Sequence, residues 1–173
     1  ALPRPDEAWL AAFTRGLFAL ADTHACALAG GDTTRSPAGV TVSITALGDL
    51  PRDTALLRSD AAPGDDLWVS GELGDGALGL VYRRGDIVLP AETARTVIER
   101  LERPVPRVEL GQRLRGIATS AIDVSDGLAG DLGHLLERSR VAATVEWDLV
   151  PRSNALRGTD AQVQQRCVFA GGD

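Results

Sequence analysis

Short apolar runs alternate along this chain with amphipathic stretches of helical spacing, and this alternation is what most restricts its fold. In residues 40–47, Val40, Val42 and Ile44 alternate with Thr and Ser, which predicts a half-buried strand. Further short apolar runs predict strands at 67–70, 117–122, 141–145 and 167–170. Strands that alternate with helices indicate an α/β or layered α+β fold, in which helices cover a sheet.

The helical stretches show apolar residues three and four positions apart. After Pro5, Asp6 and Glu7, apolar residues at positions 9, 13, 17 and 20 predict a helix whose apolar stripe lies in the core. Further helices are predicted at 73–81, 91–101, 107–115 and 126–136. Residues 51–64 are rich in Pro, Asp and Arg and interrupt the periodicity, so we expect a domain boundary or a long connection there.

Charge composition excludes several functions. All 18 basic residues are arginine, so the chain has no lysine for a Walker A loop, a protein-kinase strand or a pyridoxal Schiff base. The net charge of −6 disfavours nucleic acid and anionic membranes as partners, and no apolar run is long enough to span a bilayer. Cys26 and Cys167 lack metal-ligand spacing, which favours two small buried thiols in a reduced, cytoplasmic protein.

The first candidate site is the run Gly30-Gly31-Asp32-Thr33-Thr34. Two glycines allow close backbone approach, and the carboxylate and hydroxyls that follow are hard oxygen ligands for magnesium beside a phosphate. The structural alternative is a tight turn in which Asp32 and Thr33 satisfy local amides.

The second candidate site is Asp123-Val124-Ser125-Asp126-Gly127, between a predicted strand and a predicted helix. Ligands favour this position in α/β sheets. The alternative is that Ser125 or Asp126 caps the helix. Capping leaves Asp123 unexplained, because a carboxylate directly after a buried strand is expected to be partly buried and to need a partner.

The acidic residues of both candidate sites can bind a phosphate only if a metal ion neutralises the repulsion between their charges. A carboxylate about 4 Å from a phosphate charge is repelled by roughly 4 kcal/mol at an effective dielectric of 20, and a bridging magnesium ion turns that repulsion into attraction. Arg58 is a candidate phosphate ligand in a chain without lysine; the alternative is a solvated side chain in a polar connection.

A third match, Gly74-Asp75-Gly76-Ala77-Leu78-Gly79, fits G-x-G-x-x-G after a predicted strand, with Glu92 eighteen residues after Gly74. This pattern is typical of nicotinamide dinucleotide binding and keeps an oxidoreductase as an alternative. Against it, Asp75 places a carboxylate inside the turn that would hold the pyrophosphate.

Several segments together resemble thiamine-monophosphate kinases, of the aminoimidazole-ribonucleotide synthetase-like superfamily. Their order and spacing carry the resemblance from about residue 20 to the end; the segments are 29–37, 55–59, 63–71, 107–111, 121–134 and 169–173. The resemblance implies a two-domain α/β architecture, of which 1–51 is the carboxyl-terminal part of the ATP- and metal-binding domain. It makes 52–173 the amino-terminal part of the second domain.

By the same resemblance, the activity is the transfer of the ATP γ-phosphoryl group to thiamine monophosphate, giving thiamine diphosphate, with Mg²⁺ as cofactor. It implies that Asp32, Asp123 and Asp126 bind magnesium. It also implies that Gly31, Asp32, Arg58 and Ser125 contact ATP. A cytoplasmic homodimer joined through strands such as 40–47 is expected, and no general base is assigned.

The chain departs from the family pattern at both ends. The family's amino-terminal aspartates and substrate histidine, and its carboxyl-terminal substrate contacts, have no counterpart here, and the chain lacks an initiator methionine. We therefore expect a fragment with poor kinase activity by itself. Three alternatives remain: another ATP-dependent synthetase of the superfamily, the nicotinamide oxidoreductase, and a non-catalytic fragment.

Overall fold

The chain forms two compact units in a computed structural model that describes residues 1–172. The first unit is Ala1–Leu50 and the second is Pro51–Asp173.

The first unit contains one long helix, α1 (Glu7–Thr23), which begins as its sequence predicts. The Asp6 side chain caps it by accepting a hydrogen bond from the Trp9 amide at 2.9 Å. The prediction that its apolar stripe is core is wrong, because α1 has no buried residue and Leu20 is 51% exposed. Trp9 stacks on Phe13 with ring centroids 5.2 Å apart, and no sheet among the described residues covers this face.

None of the predicted strands forms a paired strand in residues 1–172; the only β-type pairing there is a parallel bridge between Leu2 and Arg35. In residues 40–47, Val40 and Val42 are each 50% exposed and Ile44 is 68% exposed. Alternation in sequence predicts which side chains share a face, but a strand also needs a partner for its amides and carbonyls. These runs have the side-chain pattern, but no ladder of such pairs forms along them in residues 1–172; in 40–47, Thr41 exchanges two backbone hydrogen bonds with Ala1.

The second unit is built from helices, four of which the apolar spacing predicts to within three residues at each end. These are α2 (Asp75–Arg83), α3 (Ala91–Glu102), α4 (Val108–Arg113) and α5 (Leu128–Ser139). A 3₁₀ turn (Trp147–Leu149) and α6 (Asn154–Arg157) follow, and α7 (Ala161–Ala170) is the last helix described.

The strand predicted at 167–170 is wrong, since these residues form the last turn of α7. The Asp160 side chain accepts the Val163 amide at 2.9 Å and so caps a helix that continues through the apolar run. A four-residue apolar run does not distinguish a strand from a buried helical segment.

The core of the second unit lies between α2, α3, α5 and α7. Leu78, Val97 and Leu156 are fully buried, and Val168 and Cys167 are 1% exposed. The buried-thiol prediction is therefore right for Cys167 and wrong for Cys26, which is exposed.

Within residues 1–172, no helix combines the length and the apolar character needed to cross a membrane.

Candidate functional site

The loop at 123–127 is anchored by a glycine that no other residue replaces easily. Gly127 is buried with φ +101° and ψ 154°, a backbone conformation that is largely confined to glycine. A Cβ placed on it would lie 2.6 Å from the Phe169 carbonyl oxygen and 2.8 Å from the Gly171 nitrogen. The loop therefore closes directly onto the carboxyl end of α7.

A buried carboxylate holds the same loop from the other side. Asp131, in α5, is 4% exposed, and its Oδ2 accepts the amide of Ser125 at 2.8 Å and that of Asp126 at 2.9 Å. Gly172 packs so closely on the Ser125 carbonyl oxygen that a Cβ there would overlap it. Sequence reasoning missed Asp131; its signal was an acidic residue in the first turn of a helix that follows a polar loop.

The side chains of Ser125 and Asp126 do not cap α5. The N-cap residue is Gly127, and no side chain makes a cap hydrogen bond. The capping alternative is therefore wrong, and both side chains are exposed.

Asp123 is exposed as well, so the expectation that it is partly buried is wrong. Residues 117–122 do not form a buried strand, and Ile117 is 77% exposed, so the carboxylate that follows stays in solvent. Within residues 1–172, neither Asp123 nor Asp126 has a side-chain hydrogen bond or ion pair. Two carboxylates three positions apart are thus available on a loop whose backbone is held.

Arg58 lies beside the segment that leads into this loop. The carbonyl of Leu57 accepts the Ser120 hydroxyl at 2.5 Å and the Ala121 amide at 3.3 Å. The carbonyl of Arg58 accepts the Ser139 hydroxyl at 2.7 Å. The Arg58 side chain is exposed and pairs with no carboxylate of residues 1–172, so its guanidinium is available to a ligand.

Asp32 and Gly31 lie in the first unit, where both are exposed. Asp32 Oδ1 accepts the amide of Thr33 at 2.7 Å, as the tight-turn alternative expects, which leaves Oδ2 unengaged. The chain after the turn is held by Leu2, whose amide donates to the Thr34 carbonyl at 2.9 Å. Magnesium and ATP binding by this loop stays a prediction.

The donor chemistry at 123–127 fits magnesium. Carboxylate oxygens are ligands that this hard cation accepts, commonly one or two of them together with water and phosphate oxygens. Within residues 1–172, the structure gathers no group of three or more His, Cys, Asp or Glu side chains that could hold a metal by themselves.

The G-x-G-x-x-G segment serves helix packing. Asp75 is 4% exposed and its Oδ1 accepts the Ser153 hydroxyl at 2.5 Å, so a carboxylate occupies the turn. Gly74 has φ +94°, and a Cβ there would lie 2.8 Å from Leu156 Cδ2. A Cβ on Gly79 would overlap the Val97 carbonyl of α3. These glycines fit contacts within the protein, which disfavours the oxidoreductase alternative.

A cavity of about 460 Å³ lies between α2, α3 and α7 and reaches Ser125. Arg84, Arg100 and Arg166 are among the residues that line it, and none of them pairs with a carboxylate of residues 1–172. Three arginines therefore lie in the wall of a largely apolar cavity beside Ser125.

Comparison with known proteins supports the resemblance along the whole chain. Residues 1–50 match the family model "AIR synthase related protein, N-terminal domain". Thiamine-monophosphate kinases from Salmonella typhimurium and Escherichia coli K12 are 44% and 43% identical over 174 aligned residues, which are 99% of this chain. The chain is a homologue of the thiamine-monophosphate kinases. It spans about half the length of these curated relatives, 53% of each.

Solved kinase structures confirm the predicted fold family. The thiamine-monophosphate kinase of Stenotrophomonas maltophilia K279a matches 100% of this chain and 56% of its own, with a TM-score of 0.85 at 43% identity. AaThiL, solved with AMPPCP and TMP, matches 68% of this chain and 39% of its own, with a TM-score of 0.60 at 30% identity. The chain thus has part of the aminoimidazole-ribonucleotide synthetase-like architecture.

Proposed function

We propose that this thiamine-monophosphate kinase homologue supplies part of the active site for magnesium-dependent phosphorylation of thiamine monophosphate by ATP, giving thiamine diphosphate. The observation that carries the proposal is the loop at 123–127, which has two exposed, unpaired carboxylates on a backbone fixed by Gly127 and Asp131. Its relatives are thiamine-monophosphate kinases, and the structure of one such protein, AaThiL, was solved with AMPPCP and TMP; both facts favour this reaction.

In this proposal Asp123 and Asp126 hold magnesium, and Ser125 and Arg58 contact ATP. When bound, magnesium neutralises the phosphate charge that would otherwise repel these carboxylates. The Ser125 hydroxyl and the Arg58 guanidinium donate hydrogen bonds to phosphate oxygens, and so orient the nucleotide. Asp32 is proposed as a further magnesium ligand, with Gly31 approaching the nucleotide through its backbone. This chemistry consists of positioning and charge neutralisation, so it needs no lysine.

The proposal also covers the location of the protein in the cell, its oligomeric state and its partners. We place it in the cytoplasm as a homodimer, with no nucleic acid or membrane partner, in keeping with its net charge of −6. The exposed apolar residues of 40–47 favour a contact between two copies, because the run has the alternation of a strand and could pair with the same run of a second copy.

Calorimetric titration of ATP, with and without magnesium, tests the metal site. We expect the parent chain to bind ATP only with magnesium, and Asp123→Asn to weaken that binding by about tenfold or more, since it removes one carboxylate–cation attraction. Asp86→Asn is the matched control, because Asp86 is an exposed carboxylate in the turn between α2 and α3. Equal binding by the parent and Asp123→Asn would remove Asp123 from the site.

A second assay separates the acceptors. Phosphoryl transfer to thiamine monophosphate is compared with the reactions of formylglycinamidine ribonucleotide and selenide, which other ATP-dependent synthetases of the superfamily use. The assay is run with the intact protein that contains these residues. Turnover with either alternative acceptor, and none with thiamine monophosphate, would overturn the proposed substrate.

A further inference from the structure

Asp131 is a buried carboxylate whose partners are two backbone amides of the 123–127 loop. It is 4% exposed, and it forms no ion pair with any Arg or His of residues 1–172. Burying a carboxylate is unfavourable unless hydrogen bonds stabilise its charge. The two amide hydrogen bonds and the amino-terminal end of α5 supply that stabilisation.

The two hydrogen bonds determine which groups the loop can offer to a ligand. Consecutive amides, those of Ser125 and Asp126, point at one oxygen of Asp131, while the side chains of both residues are exposed. In many phosphate-binding loops the backbone amides themselves contact the anion. Here these two amides are already engaged, so Ser125 and Asp126 offer a ligand their side chains rather than their amides.

We propose that Asp131 is a positioning residue. By holding the peptide units on either side of Ser125, it directs the carboxylates of Asp123 and Asp126 and the hydroxyl of Ser125 toward the same magnesium–phosphate ligand. This inference rests on the proposed function of the loop. Both hydrogen bonds join groups of this chain, so their effect can be measured in the metal-free chain.

The first measurement is amide hydrogen exchange by NMR in the metal-free 173-residue chain. Asp131→Ala should speed exchange at Ser125 and Asp126 by about tenfold or more, while the core amides of Val97 and Val168 keep their rates. Asp131→Asn should have a smaller effect, because its side-chain carbonyl still accepts a hydrogen bond. Glu137→Ala removes the same charge from an exposed position on the same helix and should change neither amide.

The second measurement is the affinity for ATP in the presence of magnesium, by calorimetry on the same variants. Asp131→Ala should weaken binding by about 10- to 100-fold, the range found when groups that orient metal ligands are removed. Asp131→Asn should recover part of that loss, and Glu137→Ala should bind like the parent.

The outcomes separate positioning from general stability and from the proposed function. If Asp131→Ala speeds exchange in the core as much as in the loop, Asp131 is structural and the inference is wrong. Faster loop exchange with unchanged affinity would also overturn it. A parent chain that binds no magnesium–ATP would refute the proposed function and this inference with it, whereas a parent that binds while Asp131→Ala binds equally well would refute the inference alone.

Discussion

Replacing Gly127 with alanine should destabilise the second unit strongly. The backbone there has φ +101° and ψ 154°, which costs a residue with a side chain about 1–3 kcal/mol. The new Cβ would also lie 2.6 Å from the Phe169 carbonyl oxygen and 2.8 Å from the Gly171 nitrogen. Overlap of this kind adds about 1–3 kcal/mol, since both neighbours are backbone atoms that cannot rotate away. We therefore expect a loss of about 3 kcal/mol or more in the free energy of unfolding.

The matched control is Gly133→Ala, on the same helix. Gly133 lies inside α5, and a Cβ there would meet nothing within 4 Å. Alanine should stabilise this position by about 1 kcal/mol, because it lowers the conformational entropy of the unfolded chain and favours the helix. The same substitution thus has opposite signs six residues apart.

Urea denaturation followed by circular dichroism measures both changes as shifts in the unfolding midpoint at constant slope. A loss below about 0.5 kcal/mol for Gly127→Ala, or the same sign for both variants, would refute the reasoning from backbone conformation and close contact.

Two further predictions concern packing and charge. Gly79→Ala should lower the free energy of unfolding by about 1–3 kcal/mol despite the better helix propensity of alanine, because its Cβ would overlap the Val97 carbonyl; a rise in the urea midpoint would contradict this. Hydrogen bonds from the Ala62 amide and the Thr119 hydroxyl hold the pKa of the exposed Asp65 carboxyl below its usual value. Thr119→Val should raise that pKa in an NMR titration, and Thr119→Ser should leave it unchanged. The stability gained from the Thr119 hydrogen bond is present above the pKa of Asp65 in the unfolded chain, and it is lost as pH falls through the lower pKa of Asp65 in the folded chain.

Local patterns predicted α1 to α5 because each of these helices carries its own signal, whereas α6 was not predicted and the end of α7 was predicted as a strand. Asp6 before an apolar stripe is enough to start α1, and Ala91 after Pro90 starts α3 where expected. The strands were not predictable in this way. Alternation at 40–47 shows which side chains share a face, whereas pairing depends on a partner that the run itself does not encode.

The candidate site was only partly visible in the sequence. The acidic residues of 123–127 could be identified from their position between an apolar run and an amphipathic helix. Asp131 could not be identified in this way, because its side chain points at the loop only through the direction in which α5 starts after Gly127. The need for glycine at position 127 comes from the approach of α7, more than 40 residues later in the chain. The placement of Asp32 beside this loop stays a prediction.

The close packing of Gly172 on the Ser125 carbonyl and of Gly127 on the end of α7 couples two parts of the chain mechanically. Neither glycine has a side chain that could rotate and absorb a displacement, so movement on one side of the contact is passed to the other. If a nucleotide enters or leaves at the acidic loop, a displacement of the loop should reach the carboxyl end of α7 through this contact.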